Sequence, residues 1–230
     1  MNYAVILLAG LGKRFGGDTP KQFQIVSGHP LCYYSIDAFQ KSLLIDEIIL
    51  VSQREYYNEL ASIVQNNGFN KVKSVVVGGQ SRQESSRNAL EYLHTIAQDD
   101  DIILIHDGAR PLVSEEIIEA NVTCAKENGA CTTAIPSSDT IVKSDDGKSV
   151  EEFLERKSAF LVQTPQSFKL KIIYEAHAKS PIEMNATDDS QLVRQNGQNV
   201  SLVLGNKELL KVTTADDLAI IETYIKRGNY

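Results

Sequence analysis

The chain has 230 residues, of which 42% are hydrophobic and 23% are charged, an ordinary composition for a soluble globular protein. The formal net charge of −7 argues against broad nucleic-acid binding, which needs a basic surface, although it is compatible with a local basic pocket for a small anion. The first apolar run, MNYAVILLAG, is too short to span a membrane and lacks a basic flank. We therefore expect a buried first strand, a cytoplasmic location and no membrane partner.

The first half of the chain alternates short apolar runs with segments of helical periodicity. Strands are predicted at 3–8, 47–52, 73–77 and 102–106, and helices at 30–40, 54–66, 81–96 and 114–128. Continuous runs of Val, Ile and Leu between helices are typical of a parallel sheet that is buried on both faces. The pattern predicts a doubly wound, mostly parallel α/β fold with right-handed crossovers, formed by residues 1–230 as a single domain.

The alternation of apolar runs and helical segments stops after Pro136. Residues 137–155 alternate polar and apolar side chains around Asp145-Asp146-Gly147, which predicts a hairpin turn. The hairpin, at about 137–160, is interpreted either as a protruding β-arm for dimerisation or as a simple edge hairpin. Further helices are predicted at 170–178, at 188–196, and from Thr214, a capping residue, to Lys226.

The first loop, residues 8–22, combines glycines with positive charge. Glycines directly after the first strand of an α/β sheet let the backbone approach a phosphate closely. No Walker A string occurs, and Phe15 occupies the third glycine position of a dinucleotide fingerprint. What is left is a glycine loop with three cations, Lys13, Arg14 and Lys21, which favours an anion-binding loop over a solvated turn.

A second segment, His106-Asp107-Gly108-Ala109-Arg110-Pro111, follows the fourth strand. An Asp at the carboxyl end of a strand is well placed to hold Mg²⁺ through one oxygen, with a triphosphate and water completing the octahedron. Arg110 could clamp a phosphate with its planar guanidinium group. The alternative is a turn in which Asp107 caps local amides, and His106 is interpreted as a packed strand-end residue.

Two further groups of residues are weaker when each is taken alone. The segment from Gly78 to Ser85 leads into a helix, where backbone amides and hydroxyls suit a base and ribose. The later strings are Arg156, then Gln163-Thr164-Pro165-Gln166-Ser167-Phe168, then Ala186-Thr187-Asp188-Asp189, then Leu210-Lys211-Val212-Thr213. Taken singly, Thr187 is a plausible helix cap and Lys211 a plausible surface lysine.

Together these strings resemble the 2-C-methyl-D-erythritol 4-phosphate cytidylyltransferase family of isoprenoid synthesis. The glycine loop, PKQ, HDxARP, TPQxF, TDD and Lys-Val-Thr occur in the family's order from Tyr3 to about Ile225. Ribitol-5-phosphate cytidylyltransferases of teichoic-acid synthesis share most of them. The TDD string and the arm string FLER favour the erythritol enzymes. Leu8 and Leu11, in place of small residues, and Gln80, in place of an acidic residue, depart from the pattern.

The resemblance implies a nucleotidyltransferase that moves CMP from CTP to a small polyol phosphate with Mg²⁺ and works as a homodimer through the β-arm. It implies catalytic roles for Arg14, Lys21, Arg156 and Lys211; CTP contacts from Ala9, Gly10, Gly12, Lys21, Gly79, Ser85 and Asp107; substrate contacts from Arg110, Thr140, Arg156, Thr164, Thr187 and Lys211; and a metal contact from Asp107. A non-catalytic nucleotide-binding protein on the same fold is the alternative of another class. Nucleotide binding alone would not require all of these cations together, which argues against this alternative.

Overall fold

The computed structural model describes residues 1–10, 15, 20–184 and 186–228. The strands are β1 (Asn2–Leu7), β2 (Ile25–Val26), β3 (His29–Pro30), β4 (Glu47–Ser52), β5 (Val72–Val77), β6 (Ile102–Asp107), β7 (Ala130–Pro136), β8 (Val142–Lys143), β9 (Glu152–Phe153), β10 (Phe160–Lys169) and β11 (Ser201–Leu204). The α-helices are α1 (Leu31–Lys41), α2 (Tyr57–Asn66), α3 (Arg82–His94), α4 (Glu115–Asn128), α5 (Leu170–Lys179), α6 (Asp189–Gln195) and α7 (Ala215–Lys226).

Seven strands form the central sheet in the order β11-β7-β10-β6-β1-β4-β5. All neighbours in it are parallel except β10, which runs antiparallel to both β6 and β7. After β1 the chain adds β4 and β5 on one side of β1, and it then returns to place β6 on the other side of β1. This confirms the predicted doubly wound, mostly parallel sheet and places a topological switch point beside β1, where ligands of such folds bind.

Both faces of the sheet are covered, which explains the continuous apolar runs. In β1, Ala4 and Ile6 pack on the face covered by α1, α2 and α4, whereas Tyr3 and Val5 pack on the face covered by α3, α5 and α6. All four side chains are at most 3% exposed. A strand buried on both sides has no polar face, so its sequence is apolar throughout instead of alternating.

The predicted cap of the last helix is confirmed. The Thr214 hydroxyl accepts a hydrogen bond from the backbone of Asp217, and the Asp217 carboxylate accepts one from the backbone of Thr214. This reciprocal pair satisfies two amides at the start of α7, where negative charge is also favourable. No helix in the described part of the chain is both long enough and apolar enough to cross a membrane.

Strands β7, β10 and β11 lie where the sequence pattern predicted none. In β10, the polar string from Gln163 to Ser167 surrounds Pro165, which cannot donate to a strand neighbour and is typical of edges and bulges. The register against β7 shifts between Val162 and Gln166, so the strand accommodates the proline at an irregularity. This polar string therefore lies within the sheet.

The predicted hairpin after Pro136 is confirmed, and it forms a two-stranded sheet of its own, β8 with β9, outside the central sheet. Its turn is closed by Asp146, whose Oδ1 accepts from the backbone of Lys148 at 2.7 Å and of Ser149 at 2.8 Å. Gly147 has a φ of 66°, a left-handed conformation that favours glycine. The hairpin exposes Phe153, which is 69% accessible.

Candidate active site

A pocket of about 360 Å³ opens at the carboxyl ends of β1, β4, β5 and β6. Its size suits a small-molecule ligand. It is lined by Leu7, Leu8, Ala9, Gly10, Lys21, Gln22, Gln53, Gly79, Gln80, Ser81, Arg82, Ser85, Asp107, Ala109 and Lys211. The segments after four strands thus converge at the switch point, together with Lys21-Gln22 and Lys211, which lie farther along the chain.

Three hydrogen bonds draw these distant segments together. The backbone of Val212 donates to the Ala109 carbonyl at 2.8 Å, and Arg110 Nη1 donates to the Leu209 carbonyl at 2.8 Å. Lys21 Nζ donates to the Val212 carbonyl at 2.8 Å. Residues 209–212 are therefore fastened across the loop after β6, which carries Lys211 and Lys21 to the same side of the pocket.

Asp107, the last residue of β6, is the anionic centre of a cluster of cations. Its carboxylate lies 2.8 Å from Lys211 Nζ, 3.2 Å from Arg82 Nε and 3.7 Å from Arg110 Nε. Burial alone would raise the pKa of Asp107, but the charges of Arg82, Lys211 and Arg110 outweigh it and hold that pKa well below its usual range. The carboxylate therefore stays ionised, as a metal ligand must.

His106 is fully buried behind the pocket, as predicted, and orders the residues around it. Its Nε2 lies 2.9 Å from the Arg110 carbonyl, so this nitrogen carries the proton. The Thr164 hydroxyl lies 3.1 Å from His106 Nδ1 and accepts from the Asp107 backbone at 3.0 Å. Burial lowers the pKa of His106 to about 4, which keeps the ring neutral near neutral pH. His106 thereby positions Thr164 and Arg110 and does not act as a cation.

The wall formed by β5 and the start of α3 is held close to the first loop. A Cβ atom built on Gly78 would lie 2.2 Å from the Cβ of Ala9, so only glycine permits this approach. Ser85 Oγ accepts from the backbone of Gly79 at 3.0 Å and donates to the Ser81 carbonyl at 2.9 Å. The result is a rigid wall of backbone and hydroxyl groups, the type of surface that suits a base and ribose.

Comparison with known proteins agrees with this geometry. A family model described as 2-C-methyl-D-erythritol 4-phosphate cytidylyltransferase matches residues 2–227. The chain belongs to this family. It is 42% identical over 232 residues to the enzyme of that name from Clostridium acetobutylicum, covering 100% of this chain and 99% of the relative. It is also 36% identical over 233 residues to a ribitol-5-phosphate cytidylyltransferase from Streptococcus agalactiae, covering 100% and 98%.

Solved structures agree in fold with this cytidylyltransferase family. The crystal structure of 4-diphosphocytidyl-2C-methyl-D-erythritol synthase from Anaerococcus prevotii superimposes with a TM-score of 0.83 at 29% identity, covering 98% of each chain. The relatives named for methylerythritol phosphate and those named for ribitol phosphate are all cytidylyltransferases, and they match essentially the whole chain. The chain is therefore a nucleotidyltransferase.

One departure from the family's glycine loop, Leu8, has a structural explanation. Its side chain is only 2% exposed, and its Cδ2 lies 2.2 Å from where a Cβ of Gly108 would be. The larger residue in the first loop therefore occupies space that Gly108 leaves open in the loop after β6. Leu8 therefore fits here because position 108 is a glycine.

The pocket brings together most of the residues that the cytidylyltransferase resemblance singled out, but not all of them. It is lined by Ala9, Gly10, Lys21, Gly79, Ser85, Asp107 and Lys211. Arg110 and Thr164 stand directly behind Asp107. Thr140 and Arg156 are on the hairpin, joined to each other by a hydrogen bond of 3.2 Å, and Thr187 is exposed in the loop before α6; none of the three lines the pocket. Gly12 and Arg14 lie outside the described residues.

Arg82 lies in the segment from Gly78 to Ser85 that the sequence analysis singled out, but that analysis gave it no role. It is the first residue of α3 and lines the pocket beside Asp107. A cation at a helix N-terminus opposes the helix dipole and is unfavourable there. That mismatch is the sequence signal which could have pointed to Arg82, because an arginine in this place needs compensating carboxylates.

Proposed function

We propose that this protein transfers CMP from CTP to 2-C-methyl-D-erythritol 4-phosphate and that the whole chain works as one cytidylyltransferase domain. The supporting observation is the cluster of Lys211, Arg82 and Arg110 around one ionised carboxylate, Asp107, at the switch point of a chain in this family. An oxygen of the substrate phosphate attacks the α-phosphorus of CTP and forms a new P–O bond. The bond from the α-phosphorus to the bridging oxygen breaks, and pyrophosphate leaves.

Charge neutralisation is the main demand of this reaction, because both reactants are anions. Lys21 and Lys211 line the pocket, and Arg110 stands behind Asp107. We assign Lys21 and Lys211 to the reacting phosphates, with Arg14 as their predicted partner. No protein nucleophile is required, and an ionised phosphate monoester needs no strong general base.

The residues present fit Mg²⁺. Among the described residues no group of three or more His, Cys, Asp or Glu side chains could hold a metal by itself. Of the described residues that line the pocket where the triphosphate would lie, Asp107 is the one with an ionised carboxylate. Mg²⁺ is commonly bound by one or two carboxylates together with substrate phosphates and water. We assign Asp107 as its protein ligand; the ion would offset the charge of the triphosphate.

The remaining contacts follow from the walls of the pocket. We assign Ala9, Gly10, Gly79 and Ser85 to CTP, since they form the backbone and hydroxyl wall between β1 and α3. The polyol phosphate is assigned to Arg110, Thr164, Thr187 and Lys211. A cytoplasmic location is inferred from the reaction's use of CTP.

We also propose a homodimer in which each β-arm completes the partner's site. The hairpin exposes apolar side chains, with Phe153 69%, Leu154 42% and Val142 41% accessible, as an arm that docks on a second copy would. Thr140 and Arg156 lie on this arm and outside the pocket of their own chain. In the dimer they would contact the polyol phosphate bound by the other copy.

Mixed dimers test the shared site. An Arg156→Ala chain and an Asp107→Ala chain, each inactive alone, should regain activity when mixed, because one of the two sites in a mixed dimer then carries neither substitution. A wild-type chain that sediments as a fully active monomer would contradict the dimer.

Pyrophosphate release from CTP, measured with a panel of polyol phosphates, tests the reaction itself. We expect release to depend on both CTP and the polyol phosphate. The 36% identity to a ribitol-5-phosphate cytidylyltransferase over the full chain makes D-ribitol 5-phosphate the second candidate substrate. A protein that binds CTP but releases no pyrophosphate with any acceptor would instead be a non-catalytic nucleotide-binding protein.

A further inference from the structure

A chain of polar contacts runs from the pocket to a buried pair of side chains, Asp189 of α6 and His177 of α5. Arg82 donates through Nε to Asp107 and through Nη1 to Asp189 Oδ2, at 3.2 and 2.5 Å. The other oxygen of Asp189 lies 3.0 Å from His177 Nε2. The side chains of Asp189 and His177 are each only 1% exposed, whereas Arg82 reaches the pocket wall.

Packing alone does not account for this arrangement. Asp189 and His177 lie among the apolar side chains of α5 and α6, where a buried charge and its partners can often be replaced by hydrophobic residues without loss of stability. His177 Nδ1 is buried and has no hydrogen-bond partner among the described residues, which adds to the unfavourable free energy of burying this pair. Among the described residues, Arg82 contacts Asp189 and also lines the pocket, so it connects this pair with the site.

We propose that Asp189, held by His177, is a positioning residue for cytidylyl transfer, which fixes the Arg82 guanidinium so that its Nε stays on Asp107. This inference rests on the proposed function. It also gives a structural role to the last residue of the TDD string. Asp189 contacts Arg82, and Arg82 in turn contacts Asp107. Asp189 therefore acts through Arg82 and not on the substrate.

The charges in the pocket explain why Arg82 needs a second anchor. The triphosphate of CTP would enter beside Lys21, Lys211 and Arg82. An Arg82 held by Asp107 alone could turn towards the incoming phosphates and leave Asp107 misplaced. The hydrogen bond from Arg82 Nη1 to Asp189 opposes this movement. Burial alone would raise the pKa of Asp189, but Arg82 and His177 bring it to about 2, so the anchor stays charged at neutral pH.

Loss of the anchor should separate catalysis from binding. In an Asp189→Asn variant Arg82 can still attract the triphosphate, so the affinity for CTP with Mg²⁺ should change by less than about threefold. The value of kcat should fall by at least about tenfold, because the groups at the reacting phosphate are no longer aligned. A merely structural role would lower the melting temperature without this division between kcat and KM.

Asp188 provides a matched control at the adjacent position. Its carboxylate accepts from the backbone of Gln191, from Ser190 Oγ and from Gln166 Nε2, and Arg82 is not among its partners in the described part of the chain. Asn is also a good helix cap, so Asp188→Asn removes one charge from the same turn and keeps the cap. This variant should keep kcat within about twofold of wild type.

The test is a double-mutant cycle of Asp189→Asn with Arg82→Gln, read by steady-state kinetics and by calorimetry of CTP binding with Mg²⁺. If Asp189 acts through Arg82, adding Asp189→Asn to Arg82→Gln should lower kcat by less than about twofold. A folded Asp189→Asn variant with wild-type kcat, or losses that simply multiply, would overturn the inference.

Two further outcomes keep the test decisive. If Asp189→Asn does not fold, His177→Phe replaces it in the cycle, with a smaller loss of kcat that must again depend on Arg82; independence from Arg82 overturns the inference. Wild-type protein that binds CTP but forms no product overturns the proposed function and this inference together. Active wild-type protein with an additive cycle overturns this inference alone.

Discussion

Replacement of Lys21 by alanine is the sharpest test of the cation cluster. Lys21 Nζ lies 2.8 Å from the carbonyl of Val212, the residue after Lys211, and its side chain lines the pocket. Lys21→Ala therefore removes a positive charge from the proposed triphosphate site and one link that holds the Lys211 segment in place. Both losses act on the transition state, where negative charge must be stabilised by groups that are already in position.

Lys21→Ala should lower both turnover and folding stability, and the two losses differ enough in size to be told apart. Loss of one preorganised charged donor typically lowers turnover by about 100- to 1000-fold, or about 2.7–4 kcal/mol. Loss of the hydrogen bond to Val212 should cost about 1 kcal/mol of folding stability. In a domain of this size that corresponds to a melting temperature lower by about 2–4 °C. At 25 °C the variant should thus be folded and nearly inactive.

Pyrophosphate release with saturating CTP and 2-C-methyl-D-erythritol 4-phosphate measures kcat, and circular dichroism measures the melting temperature. Lys226→Ala is the control, because this lysine pairs with Glu222 on the surface of α7, where it is 65% exposed. It should leave kcat unchanged. A folded Lys21→Ala variant with kcat within about threefold of wild type would refute the role assigned to Lys21.

Three further predictions concern the metal, acid stability and the last helix. EDTA should abolish activity and Mg²⁺ restore it; full activity without any divalent ion would contradict a metal at Asp107. The pKa of Asp189 is about 2 in the folded chain and about 3.9 when unfolded, so its contribution to stability is present above about pH 4 and lost as the pH falls towards 2. The urea midpoint should therefore fall less steeply between about pH 5 and about pH 3 in Asp189→Asn than in wild type, and equal slopes would count against this. Thr214→Ala should lose about 1 kcal/mol of stability with unchanged kcat, and an unaltered melting temperature would show that the capping box contributes nothing.

The parallel half of the fold could be predicted because its residues satisfy local and global demands at once. A strand such as Glu47–Ser52 is buried on both faces and is apolar from Ile48 to Val51, and each helix between strands carries its own periodicity. The β10 strand breaks this correspondence. Its polar string around Pro165 makes contacts with the pocket and with β7, so its sequence reflects the site and not the sheet.

The site could be predicted in part for the same kind of reason. Asp107 and the first glycine loop follow buried strands directly, and the carboxyl ends of neighbouring parallel strands must meet. No spacing rule connects them with Lys211, which is brought in by the contact of Val212 with Ala109. The resemblance to the family supplied that link. Asp189 and His177 act through Arg82, and no sequence pattern indicates which buried carboxylate holds which arginine.

Side-by-side kcat/KM values for 2-C-methyl-D-erythritol 4-phosphate and D-ribitol 5-phosphate, with CTP saturating, test the proposed reaction most directly. Both substrates present a phosphate to the same cations, so discrimination must come from the polyol. A site built to bind a hydroxyl can reject an analogue that lacks it by several orders of magnitude, whereas one methyl group in an apolar pocket gives about 10- to 200-fold. We predict a preference of at least about tenfold for the methylerythritol phosphate. A preference of more than about tenfold for ribitol 5-phosphate would contradict the proposed substrate.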